Sequence, residues 1–245
     1  MKIKGIILSL ALLPIVVILI IQFKFDNHQP PQLLKLNERV WIHRGGTPEN
    51  SPEGIKKSLN LGHKSFEIDI HFIEDKGKGK FIVQHDFPNK LIEQNLLVLD
   101  ELLEEVDDSS LQWWFDFKNL NSENLEPAFS LLKELEKKYS LKGRFFVEGS
   151  SYFPACTLSK KDIPVVFWIN PHSKSRFFFI REVQNKLMVS LCNFSALTAY
   201  YESFTAPGSH TFENFPVILF TVNEQEKIDQ YLQQDNILLV LKDLP

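Results

Sequence analysis

The chain contains 245 residues, of which 44% are apolar and 24% are charged, so the composition indicates a folded globular protein rather than a disordered one. Its formal net charge of −4 argues against a general nucleic-acid-binding protein, which needs a basic surface. Two cysteines, Cys156 and Cys192, are too few for a disulfide scaffold or a cysteine-ligated zinc site, but they could pair if the domain lies outside the cytoplasm.

The N-terminus carries an uncharged apolar run over residues 5–23, which is long enough to cross a bilayer as a helix. A cleaved signal peptide is the alternative, but no small-x-small cleavage site follows the run. We therefore expect residues 1–24 to be a single-pass transmembrane anchor, and residues 25–38 to be a linker. Lys2 and Lys4 precede the run, which places the N-terminus in the cytoplasm and the remaining chain outside.

From residue 39 onward, short apolar or β-branched segments alternate with helical patterns. Residues 51–62, 100–106, 123–139 and 224–234 have helical spacing or capping residues. Nine segments have the composition of strands, several of them apolar throughout as in strands buried on both faces. These segments are 40–43, 65–72, 81–85, 111–117, 144–148, 165–169, 186–191, 217–222 and 237–241.

The connection over residues 73–80 has two glycines and no helix pattern, so it is too short for a parallel crossover. Segments 65–72 and 81–85 are therefore expected to form an antiparallel hairpin. The eight remaining strands, each followed by a crossover, predict a minimal α/β (β/α)8 TIM barrel over residues 39–245. A doubly wound sheet is the alternative, but the chain has no glycine-rich dinucleotide fingerprint.

Charged and histidine side chains lie at the C-terminal ends of the predicted strands, which is the catalytic face of such a barrel. Side chains at positions i and i+2 of a strand point to the same side, so Glu67 projects with Asp69 and Asp116 projects with Lys118. A single such pair is usually part of a solvated edge. Together, however, charges on otherwise apolar strands are unfavourable unless they are paired or bind a metal, and oxygen ligands suit a hard divalent cation.

The segments WIHRGGTPENSPEGIKKSL, FEIDI and FIVQHD resemble the opening of the glycerophosphodiester phosphodiesterase family, within the phosphatidylinositol-phospholipase-C-like superfamily. FDFK stands where that family has a Glu-x-Lys strand. LFTVNEQEKIDQYL and VLKDLP are similar to the family's Trp-Thr-Val-Asn segment and its terminal Thr-Asp-x-Pro. The resemblance spans residues 40–245 and is strong at both ends and thin in the middle.

The resemblance implies a role for each matching residue in hydrolysis of a phosphodiester. The general acid and base would be His43 and His85, and the phosphate would be held by Arg44 and Lys118. Glu67, Asp69 and Asp116 would bind Ca²⁺ or Mg²⁺, Glu49 and Asn50 would shape the metal or phosphate shell, and Phe220 stands at the family's substrate-binding tryptophan. Independently of the resemblance, Glu148 ends its strand at the catalytic face and could add to the acidic site.

Asp116 departs from the family, which usually has Glu at this position, and it is similar to the sphingomyelinase D type phospholipases. The segment from His85 to Asp116 also lacks most of the insertion that typical members carry. We therefore expect glycerophosphodiesters or lysophospholipid-like diesters as substrates. The alternatives are a sphingomyelinase D or phospholipase D type lipid enzyme, and a non-catalytic barrel that binds a phosphodiester.

Overall fold

The computed structural model describes residues 2–75, 77–87, 96–170, 178–204, 212 and 214–244, with the side chains of residues 2–12, 178 and 179 excepted. The helices are α1 Lys2–Asp26, α2 Pro52–Asn60, α3 Leu99–Glu105, α4 Leu125–Lys138, α5 Tyr152–Ser159, α6 Phe178–Leu191, α7 Tyr201–Phe204 and α8 Gln225–Leu232. The strands are β1 Val40–Ile42, β2 Ser65–Asp75, β3 Lys78–Val83, β4 Gln112–Phe117, β5 Phe145–Gly149, β6 Val165–Trp168, β7 Ala196–Tyr200, β8 Val217–Phe220 and β9 Ile237–Lys242.

Eight of these strands form a closed parallel barrel in the order β1-β9-β8-β7-β6-β5-β4-β2, and the pairing of Ile42 with Phe66 joins β1 to β2. β3 lies antiparallel on β2, with Phe72 opposite Phe81. The predicted TIM barrel and its one hairpin are therefore confirmed, and the closed sheet excludes the doubly wound alternative.

One predicted strand is wrong. Residues 186–191 belong to α6, and the strand of this unit is Ala196–Tyr200. A short apolar run does not by itself distinguish a helix from a strand. Here Val189 buries its side chain in the core while Leu187 and Leu191 face outward, which is helical and not alternating exposure.

The interior of the barrel contains an apolar layer that lies mostly toward the N-terminal ends of the strands. This layer comprises Trp41, Trp114, Phe146, Val166, Ala196, Ile218, Leu239 and Leu241. Leu33, in the segment before β1, is buried in the same cluster. Gln112, the first residue of β4, donates through Nε2 to the carbonyl of Lys35 at 2.7 Å and accepts from the Asn37 N–H at 2.8 Å. The predicted linker thus packs against the base of the barrel and closes it.

α1 packs against the barrel through its last turns. Phe25 is buried beside Phe212 and Phe215, and Gln22 accepts a hydrogen bond from Lys186 of α6 at 2.7 Å. Within the residues that the structure describes, no helix is long and apolar enough to cross a membrane. The predicted transmembrane anchor at residues 1–24 is therefore not supported.

Candidate active site

The active-site layer follows directly from strand periodicity. Side chains two positions beyond the apolar layer point into the barrel again, nearer its C-terminal face. Asp116 lies two residues after Trp114, and Glu148 two residues after Phe146. Trp168, Thr198 and Phe220 follow the buried residues of β6, β7 and β8 in the same way. The C-terminal face therefore has a charged half from β1, β2 and β4 and an aromatic half from β6, β7 and β8.

Three carboxylates form a cluster at the charged half. Glu67 and Asp69 are buried and Asp116 is half-buried, and each offers an oxygen within 4.8 Å of the others. Burial raises the pKa of Glu67 well above its usual value, and the charges of Asp69 and Asp116 raise it further. Burial also raises the pKa of Asp116, against the opposing effect of Lys118. A cation bound beside Glu67 and Asp116 would therefore stabilise the charged forms of these two side chains.

Lys118 and Arg44 supply positive charge beside this cluster. The Lys118 Nζ lies 2.7 Å from Asp69 Oδ1 and also contacts Asp116. Arg44 Nε lies 3.2 Å from Asp69 Oδ2, and its guanidinium reaches Glu49 Oε2 at 2.7 Å. Burial opposes these pairs, yet they lower the pKa of Asp69 overall, with Lys118 the leading cause.

Asn50 holds the cluster from behind. Its Nδ2 donates to Asp69 Oδ2 at 2.8 Å, and the Asp69 N–H donates to Asn50 Oδ1 at 3.0 Å. The Arg44 N–H donates to Glu67 Oε2 at 2.8 Å. The turn that brings these groups together requires glycine at Gly46, where φ is +100° and a Cβ would meet the Ser58 Oγ at 2.4 Å.

His43 and His85 face the same cavity, each paired with a carboxylate. The Nδ1 of His43 lies 2.6 Å from Asp243 Oδ1, and its Nε2 lies 3.8 Å from Glu67 Oε2. Asn223 Nδ2 donates to Asp243 Oδ2 at 2.9 Å, and the Asp243 N–H donates to Asn223 Oδ1 at 2.9 Å. Although burial opposes it, the bonds to Asn223 and His43 lower the pKa of Asp243, so the residue is a carboxylate.

The second histidine is more exposed. His85 Nδ1 lies 2.8 Å from Asp86 Oδ1, and the Asp86 side chain is 94% exposed. His71 is buried behind this segment, with its Nε2 3.0 Å from the His85 carbonyl oxygen and its ring edge-on to Phe87. His71 therefore fixes the backbone that carries His85.

A cavity of about 490 Å³ joins these groups. Most of the predicted site residues line it directly, namely His43, Arg44, Glu67, His85, Asp116, Lys118, Glu148 and Phe220. Asp69, Glu49 and Asn50 contact this set from behind. The structure thus brings together every residue that the sequence singled out for the site.

The aromatic half of the cavity was not predicted apart from Phe220. Trp168 and Tyr200 line it with 39% and 41% of their surface exposed, and Trp114 lies at its floor. The rings of Tyr200 and Phe220 lie 6.3 Å apart and are tilted by 51°. An aromatic residue at the inward-facing end of each of three neighbouring strands is the signal that could have identified this surface.

Glu148 lies between the two halves. It is buried, and its Oε1 accepts a hydrogen bond from Thr198 Oγ1 at 2.8 Å. Burial raises its pKa well above the usual value and Asp116 raises it further, against the opposing bond from Thr198. Among the described residues, Glu148 forms no ion pair, unlike Asp69 and Asp116.

The carboxylate cluster fits a hard divalent cation. Its three residues present oxygen ligands only, and two of them are buried with like charges close together, an arrangement that a cation of the Ca²⁺ or Mg²⁺ type would stabilise.

The fold is that of the glycerophosphodiester phosphodiesterases and the phosphatidylinositol-phospholipase-C-like enzymes. A glycerophosphodiester phosphodiesterase from Parabacteroides distasonis is similar over 86% of this chain and 94% of its own, with a TM-score of 0.62 and 18% identity. An Oleispira antarctica phosphodiesterase, solved in complex with the product sn-glycerol-3-phosphate, is similar over 85% of this chain and 94% of its own, with a TM-score of 0.62 and 16% identity.

A calcium-dependent phosphoinositol-specific phospholipase C from Pseudomonas is more distant. It matches 83% of this chain and 88% of its own, with a TM-score of 0.53 and 10% identity. No protein-family model and no curated protein sequence matches the chain. At these identities the comparisons establish the fold, and the function has to be argued from the site.

Proposed function

We propose that the protein is a metal-dependent phosphoric diester hydrolase that acts on glycerophosphodiesters or lysophospholipid-like diesters. The observation that carries this proposal is the arrangement of one cavity. Two histidines, each paired with a carboxylate, face a cluster of three carboxylates and two fixed cations. Acid–base groups, phosphate-binding cations and hard oxygen ligands are the parts that phosphodiester cleavage requires.

The histidines would move the protons. One histidine takes the proton of the attacking hydroxyl, which belongs either to a neighbouring group of the substrate or to water. The new phosphorus–oxygen bond forms as the bond to the leaving alcohol breaks, and the other histidine gives a proton to the departing oxygen. Asp243 holds the ring of His43, with Nδ1 toward the carboxylate and Nε2 toward the cavity.

Arg44 and Lys118 would bind the phosphoryl oxygens as negative charge grows on them. Both cations are fixed by the carboxylates that they contact, so they are positioned before the substrate binds. Glu67, Asp69 and Asp116 would hold a Ca²⁺ or Mg²⁺ ion, which supplies further neutralisation of the phosphoryl charge when bound. Asn50 orients Asp69, and Glu49 orients Arg44.

A second candidate is a sphingomyelinase D or phospholipase D type lipid enzyme. The observation in its favour is Asp116 at the third carboxylate position, together with the exposed aromatic half of the cavity. The expected short segment between His85 and Asp116 includes residues 88–95, which lie outside the described residues. A non-catalytic binding barrel is disfavoured because every acid–base, phosphate and carboxylate position is filled.

A product screen tests these candidates. Purified full-length protein is assayed with glycerophosphodiesters, lysophosphatidylcholine and sphingomyelin, in chelator and with Ca²⁺ or Mg²⁺ restored. We expect cation-dependent release of alcohol from glycerophosphodiesters or lysolipids, and at least a 10²-fold loss of kcat in His85→Ala. Turnover of sphingomyelin alone would select the lipid-enzyme candidate, and no turnover of any diester, including a generic aryl phosphodiester, would select the binding barrel.

We further propose that the domain works outside the cytoplasm and beside a membrane. Cys156 and Cys192 form a disulfide with their Cα atoms 5.1 Å apart, and such bonds persist in oxidising compartments. α1 keeps apolar side chains such as Leu19 and Phe23 exposed, at 62% and 69%. In cell fractionation, the full chain should sediment with membranes, and Leu19→Gln with Phe23→Gln should weaken this. Recovery of both forms in the soluble fraction with free thiols would contradict the proposal.

A further inference from the structure

The strand order places the aromatic surface directly across the barrel from the charged one. In the order β1-β9-β8-β7-β6-β5-β4-β2, β6 lies opposite β1, β7 opposite β2, and β8 opposite β4. A diester whose phosphate lies against the charged half therefore directs one of its two alcohols at the aromatic half. The surface that this alcohol meets consists of Trp168, Tyr200 and Phe220, above the indole of Trp114.

This surface is poorly suited to a polyol such as glycerol. Each glycerol hydroxyl needs a hydrogen-bonding partner, and the ring faces of Trp168, Tyr200 and Phe220 provide none. Its open faces are instead suited to an apolar group or to a weakly hydrated cation, since the face of an aromatic ring attracts positive charge within about 6 Å. Trp168 and Tyr200 have surface available for such a contact, because each lines the cavity and is about two-fifths exposed.

Glu148 distinguishes an apolar ligand from a cationic one. It is buried, it lines the same cavity as the aromatic residues, and it binds Thr198 through one oxygen. The carboxylates of Asp69 and Asp116 already contact Lys118, whereas no ion pair forms at Glu148 in the described part of the chain. A hydrocarbon chain would gain nothing from a carboxyl group at this place, whereas a bound cation would favour the ionised form of Glu148 and would then gain a counter-charge.

We propose that the aromatic surface and Glu148 bind a quaternary ammonium group on one alcohol of the diester, so that choline-type diesters are the preferred substrates. A quaternary ammonium group has no hydrogen to donate, so aromatic faces with one nearby carboxyl group satisfy it, whereas a primary ammonium would need several acceptors. This inference rests on the proposed phosphodiesterase function and names the substrate class of the same site.

The experiment compares glycerophosphocholine with its 3,3-dimethylbutyl ester, in which carbon replaces the quaternary nitrogen. The two alcohols differ as leaving groups, so the decisive quantity is how the ratio of their kcat/KM values changes on substitution. We expect Trp168→Leu to lower the choline-to-isostere ratio by about 2- to 30-fold. Glu148→Gln, which keeps the side-chain shape, should lower it as well. Phe153→Leu is the matched control, because Phe153 is 77% exposed on α5 and absent from the cavity lining, and it should leave the ratio unchanged.

An unchanged ratio in folded Trp168→Leu, Tyr200→Leu and Glu148→Gln would overturn the cation site. Glycerophosphoglycerol serves as the cation-free reference substrate, and its turnover would show that the phosphodiesterase proposal still stands. If no diester is turned over, the proposed function fails. Isothermal titration of the wild type and Trp168→Leu with glycerophosphocholine and its isostere then decides the cation site: tighter binding of the cation that depends on Trp168 supports it, and equal affinities refute it.

Discussion

Asp243→Asn removes the negative charge behind His43 while keeping the size and shape of the side chain. The structure indicates a strong contact, because the Oδ1 lies 2.6 Å from the His43 Nδ1 and Asn223 fixes the other oxygen at 2.9 Å. An amide at this position can present its NH₂ group to the ring, and this favours the wrong tautomer for proton transfer through Nε2. The substitution should therefore act on the chemical step.

The size of the effect follows from the kind of hydrogen bond and its exposure. A hydrogen bond to a charged group contributes about 1.5–3 kcal/mol, which corresponds to about 10- to 150-fold in rate. The Asp243 side chain is 49% exposed, so water screens part of this interaction. We therefore expect kcat to fall by about 10- to 50-fold, with KM for the diester changed less than twofold, because Arg44 and Lys118 still bind the phosphate.

The matched comparison is Asp86→Asn at the other histidine. The Nδ1 of His85 lies 2.8 Å from Asp86 Oδ1, a similar distance, but the Asp86 side chain is 94% exposed. Steady-state kinetics on glycerophosphocholine should therefore show a loss of kcat below about threefold for Asp86→Asn. Equal losses in the two variants, or an Asp243→Asn enzyme that changes KM alone, would refute the argument that lower exposure and the bond to Asn223 make Asp243 the effective partner.

Three further predictions concern the metal, His71 and the disulfide. Burial and neighbouring carboxylates raise the pKa of Glu67, so protons compete with the cation for this ligand. Titration calorimetry should therefore show that the affinity for Ca²⁺ or Mg²⁺ rises from pH 5.5 to 7.5, and Glu67→Gln should make this rise smaller. An affinity that does not change with pH in the wild type would contradict this prediction. His71→Phe should lower kcat by about 2- to 12-fold through loss of the bond to the His85 carbonyl, with KM unchanged, and an unaltered kcat would remove His71 from this role. Replacing both Cys156 and Cys192 with serine removes a disulfide that closes a loop of sequence separation 36, and the lost restriction of the unfolded chain should destabilise the domain by about 4 kcal/mol. Calorimetry should show Tm lowered by about 8–16 °C. A shift of under 2 °C would argue against this entropic explanation.

The barrel and the charged half of the site could be predicted because both depend on local periodicity. The i, i+2 rule alone places Glu67 with Asp69 and Asp116 with Lys118, and strand ends collect at one face of a parallel barrel. What the sequence did not reveal depends on packing between distant segments. Asp243 contacts His43 although the two residues are 200 positions apart in the chain. Leu33 lies in the segment predicted to be a linker, but its side chain packs against the base of the barrel.

The two halves of the cavity come from different parts of the chain, and this separation has a consequence for specificity. The strands β1 to β4 and the residues that directly follow them carry the acid–base, phosphate and carboxylate groups, whereas β6, β7 and β8 carry the aromatic residues that meet one alcohol of the diester. Glu148, on β5 between them, pairs in register with Asp116 and feels its charge, so it couples the two halves electrostatically. Changes at Trp168 or Tyr200 should therefore alter which alcohol is accepted while leaving the proton-transfer groups in place, because no hydrogen bond or ion pair in the described part of the chain joins those rings to His43 or His85.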